Sequence, residues 1–167
     1  FTVNDDVCLI LKTFPNPHNT VGEQLEQLRK EFANPPEVEW INYDLTDQEL
    51  NSLYKAADCY VQTARGEGFG LPVAEAMLAK LPVIVCPNTG MADFSKPETA
   101  VLVKYEQAPA VTHVTTHGNK ISMWYEPDKD DLIEKLKSFV YNRDSLDIEE
   151  KVENAYQLIS REFSWEA

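Results

Sequence analysis

Short continuous apolar runs alternate along this chain with longer segments whose apolar residues recur every three or four positions. The runs Val7-Cys8-Leu9-Ile10-Leu11, Val38-Glu39-Trp40-Ile41, Cys59-Tyr60-Val61-Gln62-Thr63, Pro82-Val83-Ile84-Val85-Cys86 and Ala100-Val101-Leu102-Val103 predict strands. The first lies between acids and the prolines Pro15 and Pro17, and its lack of alternation predicts a strand buried on both faces of a parallel sheet. Between the runs, Leu25, Leu28 and Phe32 mark one helical face, and Leu50, Leu53, Tyr54 and Ala57 mark another. Thr20-Val21-Gly22-Glu23 and Thr46-Asp47-Gln48-Glu49 both have the form of a capping box, and Asn34-Pro35-Pro36 stops the first helix. A third helix is predicted over 71–80, with Pro72 near its first position, where a missing N–H costs least. Strand and helix in strict alternation predict right-handed crossovers and an α/β architecture: helices on both faces of a mostly parallel, doubly wound sheet.

Further along the pattern changes. Residues 87–94 read as a turn that opens a short helix, and residues 105–120 read as polar and irregular. His113 and His117 in that segment are four apart, a spacing that could hold a metal on a helix. Thr112, Val114, Thr115, Thr116 and Gly118 are poor helix formers, however, and no carboxylate is near in sequence, so a solvated loop is expected and no metal site. Asp128-Lys129-Asp130-Asp131 starts an amphipathic helix with Leu132, Ile133, Leu136, Phe139 and Val140 on its apolar face, and a last helix is expected over about 148–159. Ser164 in Phe163-Ser164-Trp165-Glu166-Ala167 reads as the cap of a further helix. With no initiator Met ahead of Phe1, the expectation is a single domain, 1–167, trimmed at both ends from a longer protein.

Composition adds two constraints. The 167 residues are 43% hydrophobic, enough for one domain with a sizeable core. A formal net charge of −13 makes nucleic acid and anionic membranes poor partners, so any phosphate-bearing ligand must be held by local donors. Cys8, Cys59 and Cys86 each sit in an apolar run without metal-ligand spacing, which predicts buried free thiols and a reducing, cytoplasmic setting. No apolar run is long enough to span a bilayer as a helix.

The stretch with chemistry is Thr63-Ala64-Arg65-Gly66-Glu67-Gly68-Phe69-Gly70-Leu71-Pro72-Val73-Ala74-Glu75-Ala76-Met77, a glycine-rich turn at the carboxyl end of a strand, where open α/β sheets bind ligands. Gly66, Gly68 and Gly70 permit positive φ and close approach of a ligand to the backbone. The first amides of the next helix, around Gly70, Leu71 and Val73, carry the positive end of its dipole and suit a phosphate. The turn lacks the last glycine of the dinucleotide fingerprint and the Lys-Ser/Thr of a P-loop. Glu67 in the turn would accept hydrogen bonds from a polyol at the reacting end. Glu75, about one helical turn onward, can accept from two vicinal hydroxyls as an acid does for ribose. Phosphate between two hydroxyl-bearing rings describes a nucleotide sugar. A plain tight turn with two solvated acids is the bland alternative, and the phosphate-type turn between the acids argues against a glycosidase pair.

These residues, with Ala57-Asp58 before the strand, Leu81-Pro82-Val83-Ile84-Val85 after the helix, the turn at Gly90 and Trp124-Tyr125-Glu126-Pro127-Asp128, resemble the retaining group-one glycosyltransferases, in which two Rossmann-like domains face across a cleft. The resemblance covers most of the chain from about Asp6, and Glu67 and Glu75 match that family's E-x7-E signature. It implies a Rossmann-like three-layer sandwich that is the carboxyl-terminal, donor-binding half of a metal-independent hexosyltransferase. It further implies that Glu67 is the catalytic residue, holding the donor sugar's hydroxyls, that Phe69, Gly70 and Leu71 offer amides to sugar and diphosphate with Gly68 beside them in the binding site, and that Glu75 holds the ribose. Lys12 and Tyr43 to Leu45 become candidates for contact with the base. The donor is expected to be a UDP-sugar in preference to a GDP-sugar, with no other cofactor, and any membrane attachment would come from the amino-terminal domain. The family's domain normally opens with a further strand and helix bearing an Arg and a Lys for the leaving diphosphate, and these do not precede Phe1; Met91 also stands where a second glycine is frequent. A noncatalytic nucleotide-binding module is the second reading, which the absent basic pair would permit.

Overall fold

Two parallel strands, β1 (Cys8–Lys12) and β2 (Glu37–Ile41), pair in register from Cys8 opposite Glu37 to Lys12 opposite Ile41. They belong to the first of two units, Phe1–Leu50 and Asn51–Ala167, in a computed structural model that describes residues 1–110 and 122–163. Helix α1 (Val21–Glu31) connects the strands and rests on them through Gly22, where an added Cβ would lie 2.7 Å from the Trp40 ring. A polar knot at the carboxyl end of the strands fixes the helix start: Trp40 Nε1 and Asn19 Nδ2 both donate to Thr13 Oγ1, which itself donates to Asn42.

Three expectations fail in this unit. β1 forms and pairs as a parallel strand, but Cys8, Leu9 and Ile10 are exposed, so the strand is not buried on both faces. Leu28 and Phe32 are exposed as well. Thr20 makes no capping box with Glu23; Asn19 Oδ1 accepts from the Val21 amide instead, one residue earlier than the sequence form suggested. The capping box at Thr46 does form, since Glu49 Oε2 accepts from the Thr46 amide and hydroxyl at 2.8 Å each, and it starts α2 (Asp47–Ala56).

The second unit is a three-layer α/β sandwich. Strands β3 (Tyr60–Gln62), β4 (Val83–Val85) and β5 (Val101–Leu102) are parallel and lie in that order. β4 is buried on both faces. Val83 and Val85 point to a cluster with Val73, Ala76 and Met77 of α3 (Leu71–Leu78), whereas Ile84 points to Phe139 and Ile148 on the opposite side. Phe139 comes from α4 (Lys129–Asn142), and Ala155 and Ile159 of α5 (Leu146–Glu162) pack onto the α3 side. Helix α3 is apolar nearly all round because it is enclosed by β4 and α5. Ile133 and Val140, placed on the apolar face of α4 by the sequence pattern, are exposed; Leu132, Leu136 and Phe139 carry the contact.

Residues 105–120, read as irregular, contain β6 (Tyr105–Pro109), which pairs antiparallel with β7 (Met123–Pro127). His113, His117, Ser164, Trp165 and Glu166 lie outside the described residues. Of the three cysteines, all free, Cys86 is buried, Cys59 is half-buried and Cys8 is exposed, contrary to the expectation of burial for all three. Burial pushes the Cys59 thiol up to about 12, so it stays protonated.

Asp131 joins the hairpin to α4. Its buried carboxylate accepts from the Lys104 amide at 2.9 Å and faces Lys104 Nζ at 3.3 Å, while Asp128 caps the helix through the Asp130 and Asp131 amides. The Lys104 amide in first place holds Asp131 below the ordinary value of 3.8. A depressed carboxylate stabilises the fold above its ordinary value and ceases to do so as pH falls through the folded one. Thermal unfolding should therefore lose midpoint temperature as pH drops below about 4, and Asp131→Asn should be less stable at neutral pH and show a shallower acid dependence.

Candidate functional site at the glycine turn

The turn after β3 is held from outside. Gly90 comes so close that a Cβ on it would overlap the Gly68 carbonyl oxygen and lie 2.7 Å from the Gly68 carbonyl carbon and 2.8 Å from Phe69 Cα. Gly70 takes a left-handed φ of 89°, and its missing Cβ makes room for the buried Met91 side chain. The positive φ expected across the turn is thus confined to Gly70; Gly66 and Gly68 do not adopt it. The Gly90 amide donates to the Glu67 carbonyl at 3.2 Å, and the Glu67 amide donates to Thr89 Oγ1 at 2.8 Å. Asn88, almost fully buried, donates from Nδ2 to the Ala64 carbonyl and takes the Thr89 hydroxyl on Oδ1. Thr89 has a φ of 46°, a costly conformation for a β-branched residue, and it opens the 3₁₀ turn Thr89–Asp93.

Two further fastenings flank the turn. The Phe69 ring points inward onto Phe94 and Phe163, with centroids at 5.2 and 5.7 Å. Arg65 forms a bidentate pair with Glu126 at 2.5 and 2.8 Å, lies over the Trp124 ring at 4.5 Å, and accepts on its carbonyl from the Tyr125 amide. The β6–β7 hairpin is in this way tied to the residue two positions before Glu67. The Glu126 carboxylate is held below its ordinary value by the Arg65 hydrogen bonds.

What these contacts leave free defines the site. Among the described residues, the amides of Gly68, Phe69, Gly70 and Leu71 have no acceptor. Gly70 is itself a buried residue, where backbone amides are nearly always paired. Unpaired donors at a helix start suit an anion. The Val73 amide, expected from the sequence to be open, donates to the Gly70 carbonyl at 2.9 Å and is not among them. Glu67 is half-buried, and its carboxylate has no partner among the described residues. Glu75, on α3, accepts from the Tyr54 hydroxyl at 3.1 Å. Both negative charges reach the Tyr60 phenol, which burial first and these charges second push up to about 12.

Within the second unit, Glu67, Gly68, Phe69 and Gly70 lie on the turn after β3, and Leu71 and Glu75 lie on α3. Lys12, Tyr43 and Leu45 lie in the first unit. Lys12 ends β1 with its ammonium on the Thr13 carbonyl at 2.9 Å and over the Phe14 ring at 4.7 Å, and Tyr43 and Leu45 lie in the segment after β2. Tyr54, Asn88, Thr89 and the Arg65 clamp were missed as parts of the site. A groove lies elsewhere in this unit, between β5, α4 and α5, and its Lys135 and Lys151 are engaged by Asp131 and Asp147.

The chain belongs to the family described as glycosyl transferases group 1, whose family model matches residues 19–113, more than half of the sequence. It is 25% identical over 147 residues to the sulfoquinovosyl transferase SQD2 of Arabidopsis thaliana, covering 87% of this chain and 24% of that protein. Over 51 residues it is 47% identical to O-antigen chain mannosyltransferase B of Escherichia coli, covering 29% of this chain and 13% of the other. Over 72 residues it is 32% identical to mannosylfructose-phosphate synthase of Agrobacterium fabrum, covering 43% and 16%. The chain thus spans less than a quarter of the length of these curated relatives. Its fold is similar to the crystal structure of the C-terminal domain of a glycosyl transferase group 1 family protein (LpcC) from Francisella tularensis, with a TM-score of 0.64 and 24% identity, covering 90% of this chain and 66% of that one.

The contact between the two glycine turns makes a sharp stability contrast. A methyl at Gly68 meets nothing within 4 Å, whereas one at Gly90 strikes backbone. In chemical denaturation, Gly68→Ala should stay within about 0.5 kcal/mol of the parent and Gly90→Ala should lose about 2 kcal/mol.

Proposed function

We propose that this chain is the donor-binding domain of a retaining glycosyltransferase that moves a hexose from a nucleoside diphosphate sugar, UDP- or GDP-linked, to an acceptor hydroxyl. The run of four unpaired amides between two glutamates carries this reading. The names of the relatives, three of them transferases or synthases of sugar products, support it.

In the proposed reaction the amides of Gly68 to Leu71 and the α3 dipole hold the diphosphate. Glu75 accepts from the ribose hydroxyls and Glu67 from the hydroxyls of the donor sugar. The bond from the anomeric carbon to the diphosphate oxygen breaks, and its electron pair leaves with the diphosphate. The acceptor oxygen bonds to the same face of the sugar, and its proton passes to a departing phosphate oxygen. No metal takes part; charge on the leaving group is met by the amides here and by cationic side chains of the remainder of the protein. The amino-terminal domain would bind the acceptor. Free thiols fit a reducing, cytoplasmic setting, and no helix among the described residues is long and apolar enough to cross a membrane.

Calorimetry on the full-length protein with UDP, GDP and their hexose conjugates tests the reading. Gly68→Ala should lose donor affinity with its stability intact, since the new methyl meets nothing within 4 Å in the fold and would crowd a ligand held on the amides. Glu67→Gln should lower turnover roughly ten- to hundredfold while UDP or GDP still binds, as expected for losing a hydrogen-bonded charge at the sugar. Absence of heat with every nucleotide at millimolar concentration would remove the proposal.

A further inference from the structure

We propose that Tyr54 is a positioning residue of the nucleotide site, its phenol fixing the Glu75 carboxylate that takes the ribose hydroxyls; this rests on the function proposed above. Tyr54 stands on α2, a different element from Glu75, and its hydroxyl is 3.1 Å from Glu75 Oε2 and 3.3 Å from the Pro72 carbonyl oxygen. A phenol has one proton to give, and the nearer, charged acceptor takes it. Oε2 keeps one lone pair and Oε1 both, so the fixed carboxylate can still accept from two hydroxyls.

The donor is itself anchored. The Tyr54 ring packs against the α3 core cluster and meets Tyr60 edge-on, with centroids 5.9 Å apart. Burial first, and then the Glu75 charge, raise the Tyr54 phenol above its ordinary value of 10.0, so it remains a donor at any physiological pH. A glutamate on a helix surface otherwise spreads over several rotamers, and fixing it on ligand arrival subtracts from affinity. The hydroxyl does that fixing beforehand. Pro72, whose carbonyl lies against the same hydroxyl, is the second residue of α3, so one side chain registers both the helix start that offers the amides and the acid one turn further on.

The test is a double-mutant cycle in the full-length protein, read by calorimetry with UDP and GDP and by steady-state turnover. Tyr54→Phe retains the ring and its contact with Tyr60. It should weaken nucleotide binding roughly tenfold and raise the donor KM, with kcat within about twofold of the parent and an unchanged thermal midpoint. Glu75→Gln alone should weaken binding at least as much, and the double variant should bind no more weakly than Glu75→Gln, because Tyr54 acts through that carboxylate. If Glu75→Gln weakens binding but Tyr54→Phe does not, or if the two losses add in full, the positioning role is overturned and the donor-site reading stands. If Glu75→Gln binds both nucleotides as the parent does, the donor-site reading fails at this residue, and the role of Tyr54 fails with it.

Discussion

The close approach of Gly90 to Gly68 and Phe69 is the constraint on which the site depends. The turn between β3 and α3 has no internal hydrogen bond of its own that would define its path. Its shape is imposed by a second backbone lying against it, by the Thr89 hydroxyl on the Glu67 amide and by the buried Asn88 on the Ala64 carbonyl. Those contacts engage the Ala64 and Glu67 carbonyls and the Glu67 amide, and they leave the amides from Gly68 to Leu71 open. Rigidity and readiness for an anion therefore come from one arrangement, and the strain at Thr89 is retained because the neighbouring contacts over-determine it.

Electrostatics explains why backbone donors matter in this protein. With a net charge of −13, the long-range field opposes an anionic ligand, and a phosphate can be held only where local donors outweigh that field. Arg65, the cation closest in sequence to the turn, is committed to Glu126 and to the Trp124 ring. It serves to tether the hairpin to the turn. Uncompensated amides and an aligned helix dipole supply positive potential without adding a side chain that could pair with Glu67 or Glu75.

The alternation of apolar runs with helical spacing was enough to read the order of elements as far as β5, and the glycine turn with its two acids was legible as the candidate site. Residues 105–109 were not legible as a strand, because Glu106, Gln107 and Pro109 give no apolar pattern; their pairing with β7 comes from contacts about eighteen positions away, such as Gln107 on Tyr125. Burial was misjudged where a continuous apolar run, β1, forms only a two-stranded sheet with exposed residues. Tyr54 could be placed on an inward helical face, but its hydroxyl on Glu75 joins positions 21 apart in sequence, and spacing alone does not reveal such a pair. The Thr20 cap shows the same limit at short range, since Asn19 competes for the helix start and sequence form does not rank the two.

The four open amides also bear on how such a domain diverges. Donors that belong to the main chain survive every exchange of side chain except one to proline; otherwise only a change in backbone path removes them, and Gly90 guards that path. Glu67 and Glu75 are each one base change from a neutral amide. Side chains around the turn can therefore be exchanged while the row of open amides passes from one descendant to the next unaltered.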